Sequence, residues 1–390
     1  MQLSFFGHFI PLLYICHRKG GCLATIYTKY IGIMKYLTLE KALEAWQQLL
    51  PLTEDDRNRL SRRFTIDFNY NSNHIEGNTL TYGQTEILLL FGKVIGEANV
   101  KDVQDMTASN VALKMVNEEI QLKEMPLTQH FIRTLHRTLL REDYTVWRNL
   151  PGGVQTSYTV HAGQYKTRPN SVITRYGDRF DYASPEDTPA LMTDLVDWYN
   201  QAEQEGKLSP VELAALFHYR YIRIHPFEDG NGRIARLMVN FILARHGYPM
   251  IVVRSRNKSE YLEALHSADL VVGSEPSKGA HASLQEIGPF MKYFRSLVAR
   301  EVYTDVCFLT ESDERLWWYD GERVEFRTAN YPHLLRLMLS EPVLTLEDMQ
   351  KKLGVNMSAV KKLVAQLLNK HYIERGTAEG SWRVFLTPSV

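Results

Sequence analysis

Twelve consecutive residues hold most of the reactive chemistry in this 390-residue chain: His225-Pro226-Phe227-Glu228-Asp229-Gly230-Asn231-Gly232-Arg233-Ile234-Ala235-Arg236. An imidazole titrates near neutral pH, so His225 is the natural general base. Gly230 and Gly232 let backbone approach an anion closely and take positive φ where needed. Arg233 and Arg236 are three apart and share one face of a helix's first turns. Their guanidinium forks match phosphate oxygens in pairs. A carboxylate is out of place in a pure anion site. Asp229 makes sense if a divalent ion bridges it to a polyphosphate, because magnesium typically uses one or two carboxylates plus phosphates. The parts together imply transfer of a phosphate-containing group from a nucleotide to a nucleophile. Taken singly, a histidine before proline is usually structural, a Gly-x-Gly is usually a turn, and paired arginines on a helix are usually solvated. Their order in one run is what points to chemistry.

Two helices must present this loop. Ser209 is a good N-cap, Pro210 suits the first helical position and Glu212 completes a capping box, so a helix is predicted to run from Ser209 to Ile224. A second is predicted over Gly232 to His246, with Gly247 and Pro249 as stop signals. The loop therefore ends at a helix N-terminus, where unpaired N–H groups and the positive end of the helix dipole favour anions.

The run resembles the Fic motif, His-x-Phe-x-(Asp/Glu)-Gly-Asn-Gly-Arg-x-x-Arg, and matches every specified position. The resemblance implies a mainly α fold: a Fic helical bundle with a β-hairpin flap, followed by a small C-terminal winged helix-turn-helix domain. It also implies transfer of AMP from ATP to a hydroxyl side chain of a target protein. By that likeness His225 deprotonates the hydroxyl, and Asp229 holds Mg2+ between the α- and β-phosphates. Gly230, Asn231 and Gly232 line the anion hole, Arg233 binds phosphates, Arg236 binds the γ-phosphate and Phe227 anchors the loop. The related Doc-type kinases carry Lys at the position of Gly232, so this chain sides with nucleotidyl transfer.

A second stretch, Ser72-Asn73-His74-Ile75-Glu76-Gly77, resembles the Fic inhibitory motif (Ser/Thr)-x-x-x-Glu-(Gly/Asn). Ser72 and Glu76 are four apart and would share a helix face. In such proteins the glutamate pairs with the second motif arginine, here Glu76 with Arg236, and keeps the γ-phosphate from seating. Gly163-Gln164-Tyr165-Lys166 resembles the segment leading into the target-binding flap, with Lys where the family has Arg. Val172, Ile173 and Thr174 then read as a short flap strand, residues 176–179 as its turn and residues 180–182 as the return. An exposed strand edge binds extended peptide with little sequence demand. By the same likeness Tyr261 meets the nucleoside, with Asp269 a weaker polar contact nearby.

Equal numbers of basic and acidic residues (45 each) give zero formal charge, which argues against a strong polyanion binder. Cys16, Cys22 and Cys307 form no disulfide framework or metal spacing, and a reducing, cytoplasmic setting follows. Leu3 to Cys16 is apolar but short for a membrane span. Residues 1–35 are taken as a non-native or disordered extension, with Met34 the expected start and a weak targeting segment as the alternative. Residues 36–160 are expected to form an N-terminal helical region with the inhibitory helix near 65–77, and 161–305 the Fic core. Residues 306–330 would be a linker and 331–390 the winged helix. That last segment holds eight Lys/Arg against five Asp/Glu, too mild an excess to decide between DNA and a protein partner. The leading expectation is an autoinhibited protein adenylyltransferase acting on an unknown target protein or on itself, and able to form homodimers. The alternatives are a DNA-binding regulator with a nucleotide-binding Fic domain, a de-AMPylase, or a transferase using another donor such as UTP.

Overall fold

The computed structural model describes residues 37–149, 155–173, 179–341, 343–376 and 379–384. The expectations for residues 1–35 lie outside the described residues. Five helices lead the described chain: α1 (Leu39–Gln47), α2 (Glu54–Ile75), α3 (Tyr82–Phe91), α4 (Val100–Glu119) and α5 (Gln129–Leu140). Each starts at a Thr or Asn N-cap whose side chain accepts a first-turn N–H. Two antiparallel hairpins follow, β1 (Tyr144–Asn149) with β2 (Gln155–Val160), then β3 (Ser171–Ile173) with β4 (Arg179–Asp181). The helical bundle resumes with α6 (Thr188–Glu205), α7 (Pro210–Ile224) and α8 (Asn231–Arg245). It closes with α9 (Lys258–Val272), the short α10 (Pro276–Ala280) and α11 (Gly288–Thr310).

Helices α7 and α8 pack on each other at the centre. Both are buried on nearly every side, with Phe217, Tyr221, Ile234 and Phe241 at 0% exposure. A helix buried all round needs apolar residues on all faces, which explains why neither shows a clean polar stripe. The Ser209–Glu212 capping box forms as the sequence predicts. Helix α8 starts one residue earlier than expected, because Gly230 at φ 77° serves as its N-cap.

One continuous core runs from Leu39 on α1 to Val302 on α11. The boundary expected between residues 160 and 161 therefore marks no break in packing, and the N-terminal region also contains the β1–β2 hairpin. Residues 306–330 differ from the expected linker. Helix α11 continues to Thr310, and β5 (Leu316–Tyr319) pairs with β6 (Glu322–Glu325) around an Asp320-Gly321 turn. The C-terminal segment is three helices, α12 (Asn330–Ser340), α13 (Leu346–Leu353) and α14 (Met357–Asn369), then β7 (Ile373–Arg375) paired with β8 (Trp382–Val384). This module shares a second core with Trp317 and Tyr319 of β5, and with Ile66 of α2 and Tyr82 of α3. Among the described residues no helix is long and apolar enough to cross a membrane.

Candidate active site

Helix α7 ends at His225 in the left-handed region (φ 51°, ψ 61°), and its N–H closes on Tyr221 O at 2.9 Å. A non-glycine residue there costs energy and persists only where its neighbours over-determine it. The loop that follows is pinned from inside. Asn231 accepts from Phe227 N–H at 3.0 Å and donates to Phe227 O at 2.7 Å. Phe227 is fully buried, its ring stacked on His136 at 3.7 Å between centroids. His136 in turn accepts from Gly163 N–H at Nδ1 (2.9 Å), leaving Nε2 to donate to Asp229 O at 3.0 Å. The sequence expectation put Asn231 in the anion hole; its side chain is instead buried as the clamp of the loop, and only its backbone stands at the N-terminus of α8.

The His225 imidazole is stacked on Tyr182 at 3.9 Å and 11° between planes. Burial, then the Lys166 ammonium, pushes its pKa down to about 3, so at neutral pH it is an uncharged base. Asp229 accepts from Tyr144 Oη at 2.6 Å and from Gly230 N–H at 2.6 Å, with Arg233 Nη2 3.8 Å away. Burial works against its charge, but Arg233, the tyrosine and the amide outweigh it and hold the carboxyl below its ordinary value. Arg233 is buried with its Nε unpartnered among the described atoms.

Helix α2 brings the second stretch onto the same place. Arg236 donates to Glu76 Oε1 at 2.7 Å, to Ser72 Oγ at 3.0 Å and to Ser72 O at 2.8 Å. Glu76 lies just past the last helical residue, as the C-cap of α2, and Gly77 follows at φ 96°. Partial desolvation opposes the Glu76 charge, yet Arg236 and Arg233 keep its pKa lowered. Gly232 sits beneath this pair. A Cβ at that position would overlap Glu76 Oε1 and stand 3.0 Å from Arg236 Nη1.

Other expected residues are placed differently. Tyr261 is 3% exposed and its hydroxyl meets His218 Nε2 at 2.8 Å, so it lines the interior behind Arg236 instead of an open nucleoside surface. Asp269 accepts from Tyr219 Oη (2.7 Å) and pairs with Arg223 (3.2 Å), which makes it part of a core network. Val172 and Ile173 lie on β3, opposite Phe180 and Arg179. Thr174 lies outside the described residues. Sequence reasoning missed His136, Tyr144, Asn170 and Tyr182. Tyr144 was detectable in principle, from the β-rich runs flanking Pro151-Gly152-Gly153; His136 touches Asp229 across 93 residues and carries no local signal.

Residues 126–243 match the Fic/DOC family model. Protein adenylyltransferase fic-1 of Caenorhabditis elegans is 32% identical over 213 residues, 54% of this chain and 38% of that protein. Protein adenylyltransferase Fic of Nematostella vectensis is 32% identical over 51% of this chain and 42% of its own length. The chain thus spans about two fifths of the length of these two relatives. The solved Fic-domain-containing signaling protein from Bacteroides thetaiotaomicron is 53% identical, with a TM-score of 0.64 over 69% of this chain and 95% of that one. A Fic family protein from Desulfovibrio desulfuricans, 19% identical, shares the fold with a TM-score of 0.52 over 90% of this chain and 96% of that one.

Proposed function

This chain belongs to the Fic/DOC family, and from that premise we propose that it is a protein adenylyltransferase held in check by its own Glu76. The observation that carries the reading is an imidazole stacked on Tyr182 at one end of a clamped loop, with a helix N-terminus and two buried arginines at the other. ATP would lay its phosphates on the first N–H groups of α8, with Arg233 beside them. A target hydroxyl gives its proton to His225 as its oxygen attacks the α-phosphorus. The bond between the α-phosphorus and the bridging oxygen breaks, and pyrophosphate leaves.

Asp229 is the carboxylate suited to Mg2+. No group of three or more His, Cys, Asp or Glu among the described residues forms a protein-only cage, so phosphates and water would complete the shell. When bound, the ion would supply charge neutralisation at the α- and β-phosphates. The edge of β3 is offered to an extended target segment, which we assign as the flap. Glu76 occupies the guanidinium that the γ-phosphate needs and adds like-charge repulsion.

The decisive experiment is incubation of the unaltered chain, Glu76→Gly and His225→Ala with ATP and Mg2+, with and without a cell lysate, followed by intact mass and label tracking. AMP addition that rises in Glu76→Gly and vanishes in His225→Ala supports the reading; no addition in any variant overturns it. A second reading, a DNA-binding regulator, draws on Lys361 and Lys362, both exposed on α14. Salt-sensitive duplex binding without AMP transfer would favour it.

A further inference from the structure

The chain from Gly163 to Asn170 is sewn along the catalytic loop. Lys166 N–H donates to Pro226 O at 2.9 Å, and Asn170 Nδ2 donates to Phe227 O at 3.0 Å. The Lys166 side chain reaches further, to the end of α7. Its Nζ donates to Ile224 O at 3.1 Å, His225 O at 2.9 Å and Asn170 Oδ1 at 2.8 Å. An ammonium has three donors, and here all three are used on neutral acceptors in a residue only 3% exposed. Its three acceptors are two backbone carbonyls and one side-chain amide oxygen, none of them a carboxylate. The compensation comes from the last carbonyls of α7, where the helix dipole presents its negative end.

We propose that Lys166 is a positioning residue for His225: its ammonium fixes the left-handed turn that aims the imidazole and locks that turn to the base of the flap. The proposal rests on the reading of His225 as the base. Two consequences follow. The turn would lose the group that over-determines its backbone if Nζ were removed. The imidazole would also lose a like charge that disfavours its protonated form. The other groups facing the ring are Tyr182 on its face, and Glu76 and Asp229, whose charges pull the opposite way. Burial pushes the lysine's pKa down, to about 7, while its three acceptors and the negative end of α7 favour the charged form. The family resemblance places Arg at this position. A planar fork keeps the charge but does not offer three donors around one small atom, so Lys166→Arg separates charge from fit.

The test reads the imidazole directly. His225 is titrated by long-range proton–nitrogen NMR in the unaltered chain, Lys166→Met and Lys166→Arg, with the signal assigned through His225→Gln. The expected result is a His225 midpoint that rises by about one unit in Lys166→Met and stays near that of the unaltered chain in Lys166→Arg. An unchanged midpoint in Lys166→Met overturns the proposal. If Lys166→Met does not fold, the nitrogen of Lys166 is followed in the unaltered chain at neutral pH; a wholly uncharged amine there overturns the proposal equally. None of these readouts requires turnover, so failure of AMP transfer would overturn the proposed function and leave the Lys166 result standing.

Discussion

Arg236 and Glu76, 160 residues apart in sequence, meet at 2.7 Å, and the same guanidinium is held twice more by Ser72. The arginine suited to a terminal phosphate is therefore held through its Nε and Nη2 by the C-terminal end of α2. Glu76 has a side chain 41% exposed, so solvent screens the pair and its net worth is about 1 kcal/mol. Glu76→Gly should tighten ATP binding by roughly fivefold and raise AMP incorporation by more than that, since the freed arginine also orients the phosphate chain. Isothermal titration with a non-hydrolysable ATP analogue checks the first number, and label incorporation the second. Equal affinity in both proteins would dissociate Glu76 from nucleotide seating.

Gly232 gives an independent probe of the same contact. Alanine in the first turn of α8 should by itself stabilise a helix by up to about 1 kcal/mol. Its Cβ, however, would overlap the Glu76 carboxylate, and overpacking typically costs about 1–3 kcal/mol. Gly232→Ala should therefore lower the melting temperature in the unaltered chain and leave it level or raised in a Glu76→Ala background. The double-mutant cycle measures this coupling. Additive effects would mean that Glu76 does not stand over Gly232 in solution.

Asn231→Ala tests the clamp on the loop. It removes the partner of both the N–H and the C=O of Phe227, in a side chain that is 2% exposed. Each buried group left unpaired costs about 1–3 kcal/mol, so chemical denaturation should show a loss of ~2 kcal/mol or more, and transfer should fall with it. Retained stability with lost transfer would instead return Asn231 to the direct phosphate role expected from the sequence.

The local parts of the site were legible and the long-range ones were not. Ser209 and Glu212 fix the start of α7 through contacts three residues apart, and the glycines of the loop fix its exit, so one short stretch carries the information. The family motif carried the Glu76–Arg236 pairing, which no propensity argument supplies. The β5–β6 hairpin was also written locally, since Asp320-Gly321 between Leu316–Tyr319 and Glu322–Glu325 is a strong hairpin signal; reading residues 306–330 as a linker overlooked it. Tyr261 misled for a physical reason: a tyrosine at helical spacing looks the same whether its hydroxyl meets a ligand or, as here, His218. Lys166 was visible only as a departure from Arg, because its three acceptors come from residues 170, 224 and 225.

His218 predicts a pH dependence of stability. Burial, then Arg236, lowers its pKa to about 3, well below the ordinary histidine value of about 6.5. The unfolded chain therefore takes up a proton that the folded chain refuses between these two values. Stability from this group is full above about pH 6.5 and is lost as pH falls below it, by about 1.4 kcal/mol per pH unit. Other groups titrate in the same range, so the measurement is a difference. His218→Gln, whose amide retains a partner for the Tyr261 hydroxyl, should show a shallower fall in unfolding free energy from pH 6.5 to 4.5 by one proton. Parallel curves for the two proteins would place a charged or solvated imidazole at position 218.

Asp320 extends the control of α2 to the C-terminal half of the chain. At the turn of the β5–β6 hairpin it accepts from Arg254 at 3.0 Å, from Arg256 at 2.9 Å and from Asn71, the residue before Ser72. Arg254 is also bound to Asp67 of α2 at 2.8 Å and to Glu301 of α11. Removing one member of such a buried cluster leaves uncompensated charge and costs about 3–5 kcal/mol. Asp320→Asn keeps the shape and one acceptor, so the fold should survive with a lowered melting temperature. The end of α2 would then be held less firmly against Arg236, and AMP incorporation should rise, though by less than in Glu76→Gly. In the Glu76→Gly background the same change should add nothing to activity, because the contact it loosens is already gone. An equal increase in both backgrounds would separate the hairpin from the Glu76 contact and leave Asp320 a purely structural residue.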